Sequence, residues 1–181
     1  MTTEGFRPTI DQLTPADRYE SMKGYFAYFL HGEMRTNPGI WVVSADLGFG
    51  MFDRIQRDFP DRFLNVGAAE QAAVGIACGL ALKGKIPFVY SITNFVLYRP
   101  YEWLRNYVDY ESIPIKLVGA GRDKEYAEDG YTHQSEDARA VLANFPNIIQ
   151  YWPEDKAQVE AMVKEMIGNG KPCFLSLRRK L

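Results

Sequence analysis

Cysteine and histidine are scarce, with two of each among 181 residues. Cys78 and Cys173 lie far apart in apolar surroundings, and no Cys/His group has metal-ligand spacing. Reduced thiols and a cytoplasmic setting are therefore expected. No apolar run approaches the ~18 residues of a membrane helix, and mean hydropathy is −0.27, so no membrane contact is expected. The N-terminal MTTEGFRPTIDQLTP lacks the basic flank and apolar stretch of a secretion signal. There is no excess of positive charge either, since 21 basic and 23 acidic residues give a net charge of −2. Nucleic-acid binders usually carry a basic patch, and nucleic acid is not expected as a partner. Repeats, linkers and low-complexity tracts are also missing.

What the chain has is apolar and aromatic surface. It is 46% hydrophobic and 24% charged, with 11 Tyr, 11 Phe and 3 Trp. A chain of this length buries roughly 70% of its unfolded surface, which predicts one domain around a real core, with rings left over for a partner surface.

Short apolar runs alternate with longer amphipathic stretches. Runs at 40–46, 62–67, 86–92, 115–121, 147–153 and 172–178 read as strands buried on both faces, because their apolar residues do not simply alternate. Stretches 14–35, 70–83, 101–110, 135–144 and 154–167 read as helices. The first opens on Thr14-Pro15, and the last stops at Gly168-Asn169-Gly170. The expected fold class is α/β: a three-layer αβα arrangement around a six-stranded, mainly parallel sheet. Residues 13–181 form the expected domain and 1–12 an N-terminal arm. Ligands in such sheets bind beyond the carboxyl ends of the strands, so the informative segments are 46–50, 67–71, 93–98, 121–133 and 178.

Four of these carry chemistry. Gly67-Ala68-Ala69-Glu70-Gln71 puts a carboxylate among small residues where a strand gives way to a helix. Such a glutamate can simply complement the helix dipole, worth ~0.3–1 kcal/mol. Apolar surroundings would instead suit it to proton transfer. Phe95 and Tyr98, just past the third strand, fit either ordinary core or a stacking wall for a planar ring. Asp129 and His133 share a polar loop, where a histidine is commonly just solvated. The Arg178-Arg179-Lys180 stretch is commonly just solvated charge.

Taken in order, these segments resemble the pyrimidine-binding domain of transketolase and 1-deoxyxylulose-5-phosphate synthase, which are thiamine-diphosphate enzymes. The matching stretches are Ser44-Ala45-Asp46-Leu47, Gly67-Ala68-Ala69-Glu70-Gln71 and Thr93-Asn94-Phe95-Val96-Leu97-Tyr98. Asp129-Gly130-Tyr131-Thr132-His133-Gln134 with Glu136, Phe145-Pro146-Asn147 and Pro153-Glu154-Asp155 follow at matching spacing. The resemblance implies that Glu70 hydrogen-bonds N1′ of the cofactor's aminopyrimidine and that Phe95 and Tyr98 stack on that ring. It places Asp46 near the cofactor, Asp129 and His133 on the sugar's oxygens, and Arg178 and Arg18 on a substrate phosphate. Glu70 and His133 are the implied catalytic pair.

The pattern also departs from the family. Ile92 stands where a third aromatic is common, and Tyr131 where proline is usual. Gly121 and Gly50 replace a histidine and a serine that help hold phosphate. No Gly-Asp-Gly occurs, the signature of the domain that binds diphosphate through a metal. The implied function is the pyrimidine-binding subunit of a split transketolase-like enzyme that moves a two-carbon ketol unit between sugars or sugar phosphates. Thiamine diphosphate is the implied cofactor, with Mg2+ (or Ca2+) held by a partner chain that carries the diphosphate-binding domain. A homodimer of this chain within a heterotetramer is the implied assembly. The alternatives are a subunit of a 2-oxo acid decarboxylase and a non-catalytic pairing subunit.

Overall fold

A computed structural model describes residues 19 and 21–179. Arg18, Thr14 and Pro15 lie outside the described residues. The strands are β1 (Ile40–Ser44), β2 (Phe63–Asn65), β3 (Ile86–Ile92), β4 (Lys116–Ala120), β5 (Ile149–Tyr151) and β6 (Cys173–Leu177). Each falls inside a run read as a strand from the sequence. They form one sheet in the order β2-β1-β3-β4-β6-β5, parallel at every pairing.

Continuous apolar runs make such strands because each face meets a helical layer. Val42, Phe88, Tyr90, Val118 and Leu175 point to a layer that holds α1 (Met22–Thr36) and α7 (Lys156–Gly168). Their neighbours Val43, Val89, Leu117 and Phe174 point to the opposite layer. That layer holds α3 (Glu70–Leu82), α4 (Thr93–Tyr98), α5 (Tyr101–Trp103) and α6 (Ala138–Leu142). Each fully buried Val, Leu or Phe contributes about 1.5–3 kcal/mol, so the two layers hold the sheet from both sides. Cys78 and Cys173 are free and buried.

Several helix bounds differ from the sequence reading, each for a local reason. Ser21 is extended, and its hydroxyl accepts the Gly24 N–H at 3.1 Å, so α1 opens at Met22. A short α2 (Asp53–Asp58), not expected from the sequence, follows β1. Only Tyr101–Trp103 of the expected 101–110 helix is α-helical. The widened π-type turn over Leu104–Tyr110 brings Leu104, Val108 and Asp109 inward together, where Asp109 accepts the Asn147 N–H at 2.7 Å. The 135–144 helix shrinks to Ala138–Leu142 because Ser135 is bound elsewhere: its N–H donates to Asp123 and its hydroxyl to Gly121.

Strand β1 lies between β2 and β3, so the chain reverses its direction across the sheet here. Crevices at the carboxyl ends of strands open at such a reversal. Helix α4 leaves β3 directly at this edge, and Gly119 on β4 makes room for it. A Cβ at Gly119 would lie 2.7 Å from Thr93 Oγ1 and 3.0 Å from the Phe174 ring. Both neighbours are buried, so Gly119→Ala should cost about 1–3 kcal/mol, read as a lower urea midpoint at unchanged slope.

Candidate active site

Glu70 is the first residue of α3 and is 2% exposed. Positive φ at Gly67 turns the chain out of β2 just before it, a conformation glycine reaches without strain. Ser91, on the face of β3 that meets α3, donates its hydroxyl to Glu70 Oε1 at 3.0 Å. Arg99 Nη1 donates to Glu70 Oε2 at 2.7 Å. A buried carboxylate is thus held by one neutral donor and one cation.

Phe95 and Tyr98 both sit on α4, as their three-residue spacing allows. They line a cavity of about 500 Å³ with Asn94, Arg99, Thr132 and Asp137 among its other walls. The Arg99 guanidinium lies over the Phe95 ring, 3.8 Å from its centroid. The His133 imidazole meets the same ring edge-on at 4.9 Å, while its Nδ1 is 3.0 Å from Thr132 Oγ1. The Tyr98 hydroxyl donates to the Asp137 carboxylate. Desolvation, then this carboxylate, pushes the Tyr98 hydroxyl up to about 12. Asn94 is 9% exposed and gives its amide N–H groups to the Thr132 and Gln134 carbonyls. Its Oδ1 is buried and has no hydrogen-bond partner among the described residues.

A second cavity of about 710 Å³ opens on the other side of Arg99, walled by Ala68, Glu70, Gly75, Ile76 and Trp103. Its small residues come from the turn that leads into α3 and from the first two turns of that helix. Together the two cavities bring Glu70, Phe95 and Tyr98 around a single arginine, and His133 joins them through the edge of the Phe95 ring. The remaining sequence candidates stand apart. Asp46 lies two residues beyond β1 with φ 53° and accepts from Asn65 Nδ2 at 3.5 Å, outside the walls of both cavities. Asp129 is exposed on the loop that leads to His133. Arg178 follows β6 and pairs with Glu154 at 2.7 Å. Glu154 also pairs with the buried Arg122, which donates to Ser176 and Pro153 as well. The Tyr126 ring lies against Gly121 and leaves no room for a Cβ there.

The sequence reading passed over Ser91, Arg99 and Asp137. Signals for the first two were present. Arg99 is four residues beyond Phe95 on one helical surface, and Ser91 is a small polar residue at a core-facing strand position.

A family model for the transketolase pyrimidine-binding domain matches residues 20–181. The chain belongs to that family. A protein named transketolase C-terminal section from Methanocaldococcus jannaschii is 32% identical over 163 residues, 90% of this chain and 52% of that protein. A 6-deoxy-6-sulfo-D-fructose transketolase subunit from Clostridium sp. is 32% identical over 142 residues, 78% of this chain and 44% of its own length. The chain therefore spans about half the length of these curated relatives. A solved split-gene transketolase, described as an inactive beta4 tetramer, is similar at a TM-score of 0.78 and 30% identity. That match covers 88% of this chain and 51% of the other.

Within this pyrimidine-binding domain, the Ser91 hydroxyl is the neutral donor to Glu70. Ser91→Ala leaves one oxygen of a buried carboxylate without it, and should cost about 1–3 kcal/mol of stability. Urea unfolding measures the loss.

Proposed function

We propose that this chain is the pyrimidine-binding subunit of a split, thiamine-diphosphate-dependent transketolase-like enzyme. Its reaction moves a two-carbon ketol unit between sugars or sugar phosphates. A partner chain carries the diphosphate-binding domain and holds the metal, Mg2+ or Ca2+. Residues 13–181 are the domain, in a cytoplasmic enzyme. The observation that carries the reading is the buried carboxylate of Glu70 in the wall of one cavity, joined through the Arg99 guanidinium to the face of Phe95 in the wall of the other.

These residues fit an aminopyrimidine. Phe95 already carries a planar cation on its face, and that cation already hydrogen-bonds Glu70, so the seat suits a flat, nitrogen-bearing ring. The orphaned Asn94 Oδ1 adds an unused acceptor in the wall. Thiamine diphosphate, when bound, supplies the thiazolium carbon on which the two-carbon unit is carried. The chain's own part is to seat the ring and handle its proton. Phe95, with Tyr98 beside it, provides the stacking surface. Glu70 shares a proton with N1′, and its burial keeps water out of that exchange. His133, held against Phe95, and the exposed Asp129 are assigned to the sugar's oxygens by resemblance. Arg178, half-exposed beside Glu154, is the candidate grip for a substrate phosphate, with Arg18 as a second. Asp46 is assigned near the cofactor by resemblance.

The test of Glu70 lies in its proton. Glu70→Gln keeps the volume and loses the proton exchange. With the partner chain and Mg2+ present, hydrogen–deuterium exchange at C2 of the bound cofactor should fall by about 10²–10⁴-fold. Affinity measured by isothermal titration should change far less. An unchanged exchange rate removes Glu70 from the mechanism. Absence of cofactor binding by the mixed chains, with magnesium supplied, removes the whole reading.

Assembly is testable separately. Ala72, Ala73, Gly75, Ala77, Gly79 and Ala81 make α3 a helix of small residues; Ala73, Ala77 and Ala81 are buried in the chain's own core, while the exposed Ala72 and Gly79 leave room for another surface. A homodimer that recruits two partner chains is expected in light scattering, with no ketol transfer by the highly purified chain alone. A monomer in both the free and the mixed state contradicts the assembly.

A further inference from the structure

We propose that Arg99 is an internal placeholder for the ring: its guanidinium fills the seat on Phe95 beside Glu70 and must swing out before a planar ring can enter. The inference rests on the reading of Glu70 and Phe95 given above. It starts from three contacts held by one side chain. The guanidinium is stacked 3.8 Å from the Phe95 centroid. It hydrogen-bonds Glu70 Oε2 at 2.7 Å. It also forms part of the wall of both cavities, the one beside Phe95 and the one beside Ala68 and Gly75. A ring that both stacks on this face of Phe95 and reaches Glu70 needs the space that the guanidinium occupies.

Charge explains why the seat is filled in the free chain. The Glu70 side chain is 1% exposed, and its other partner is the neutral Ser91 hydroxyl. An ion buried without its counter-charge is strongly destabilising, so the carboxylate holds a cation until something else arrives. Arginine suits the task because its fork is planar, delocalised and weakly hydrated, and so can lie on an aromatic face while pairing with a carboxylate. The same side chain is free to leave. It is 45% exposed and stands at the C-terminal end of α4, just before Pro100. Its departure joins the two cavities across the face of Phe95 and turns Glu70 toward the incoming ring.

The consequence is thermodynamic. A site that is open only part of the time binds with its intrinsic affinity scaled by the open fraction. Arg99 therefore weakens ring binding by the free chain and ties ring entry to the breaking of the Arg99–Glu70 pair.

The test uses the full chain alone, with thiamine diphosphate and Mg2+ as the probe. In wild type, the Arg99 Nε–H resonance should carry the ring-current shift of Phe95 and lose it as the probe is added. Arg99→Ala and Arg99→Lys should bind the probe more tightly than wild type, by on the order of tenfold for a seat open about a tenth of the time. Arg99→Lys keeps a cation near Glu70 and carries the test if the alanine variant does not fold. An Arg99 resonance that stays put at saturating probe overturns the placeholder. So does a lysine variant that binds no better than wild type, or not at all at millimolar probe. If Phe95→Ala still weakens binding in that case, the reading of the site survives and only the placeholder falls. If neither Phe95→Ala nor Glu70→Gln alters binding, the probe sits elsewhere and both fall together.

Discussion

Placing a carboxylate where almost no water reaches it is the constraint around which this edge of the molecule is organised. An ionised group in that position is costly unless it is paired and hydrogen-bonded. Glu70 meets the cost with three local devices: the N-terminus of α3, the Ser91 hydroxyl on β3, and the Arg99 guanidinium at the end of α4. Each comes from a different element, so the carboxylate is positioned only when α3, β3 and α4 have packed together. Gly119 belongs to the same requirement, because α4 can start where it does only if β4 presents no side chain to Thr93 and Phe174.

The sheet supplies the rigid frame for this. Its strands run parallel, so all of them end on the same side, and the reversal of chain direction at β1 opens a crevice there. Glu70, Phe95 and His133 reach the crevice from three successive connections. Farther along the same edge, Arg122 ties β4 to β6 and to the start of α7 through Ser176, Pro153 and Glu154. Arg178 shares that glutamate. The two arginines thus keep one acidic neighbour between them, which holds a positively charged corner in place without leaving it unpaired.

Much of the fold was legible from residue pattern. Buried parallel strands must be apolar on both faces, and the six apolar runs carry that requirement openly. Helix ends were less legible, because local hydrogen bonds decide them. Ser21 caps α1, Ser135 is drawn to Asp123 and Gly121, and Asp109 turns inward to meet Asn147. None of these partners is visible in a hydrophobic period. At the site, Glu70, Phe95, Tyr98 and His133 could be named from their motifs. Arg99 stood next to them and was overlooked, since a charged residue at a helix end ordinarily points to water.

By itself the sequence determined the class of fold and the two-sided core and put forward candidate residues for the site, because these depend on composition and short-range spacing. Only the tertiary structure decided which of those residues meet. Glu70 and Arg99 are 29 positions apart, and Phe95 and His133 belong to different connections of the sheet. Their contacts exist because α3 and α4 pack on the same face and the loop after β4 folds back over Phe95. Asp46 and Arg178 follow the carboxyl ends of β1 and β6 on the same edge and yet stand outside the two cavities. A strand end places a residue at the rim, whereas contact depends on where the helices and loops around it come to rest.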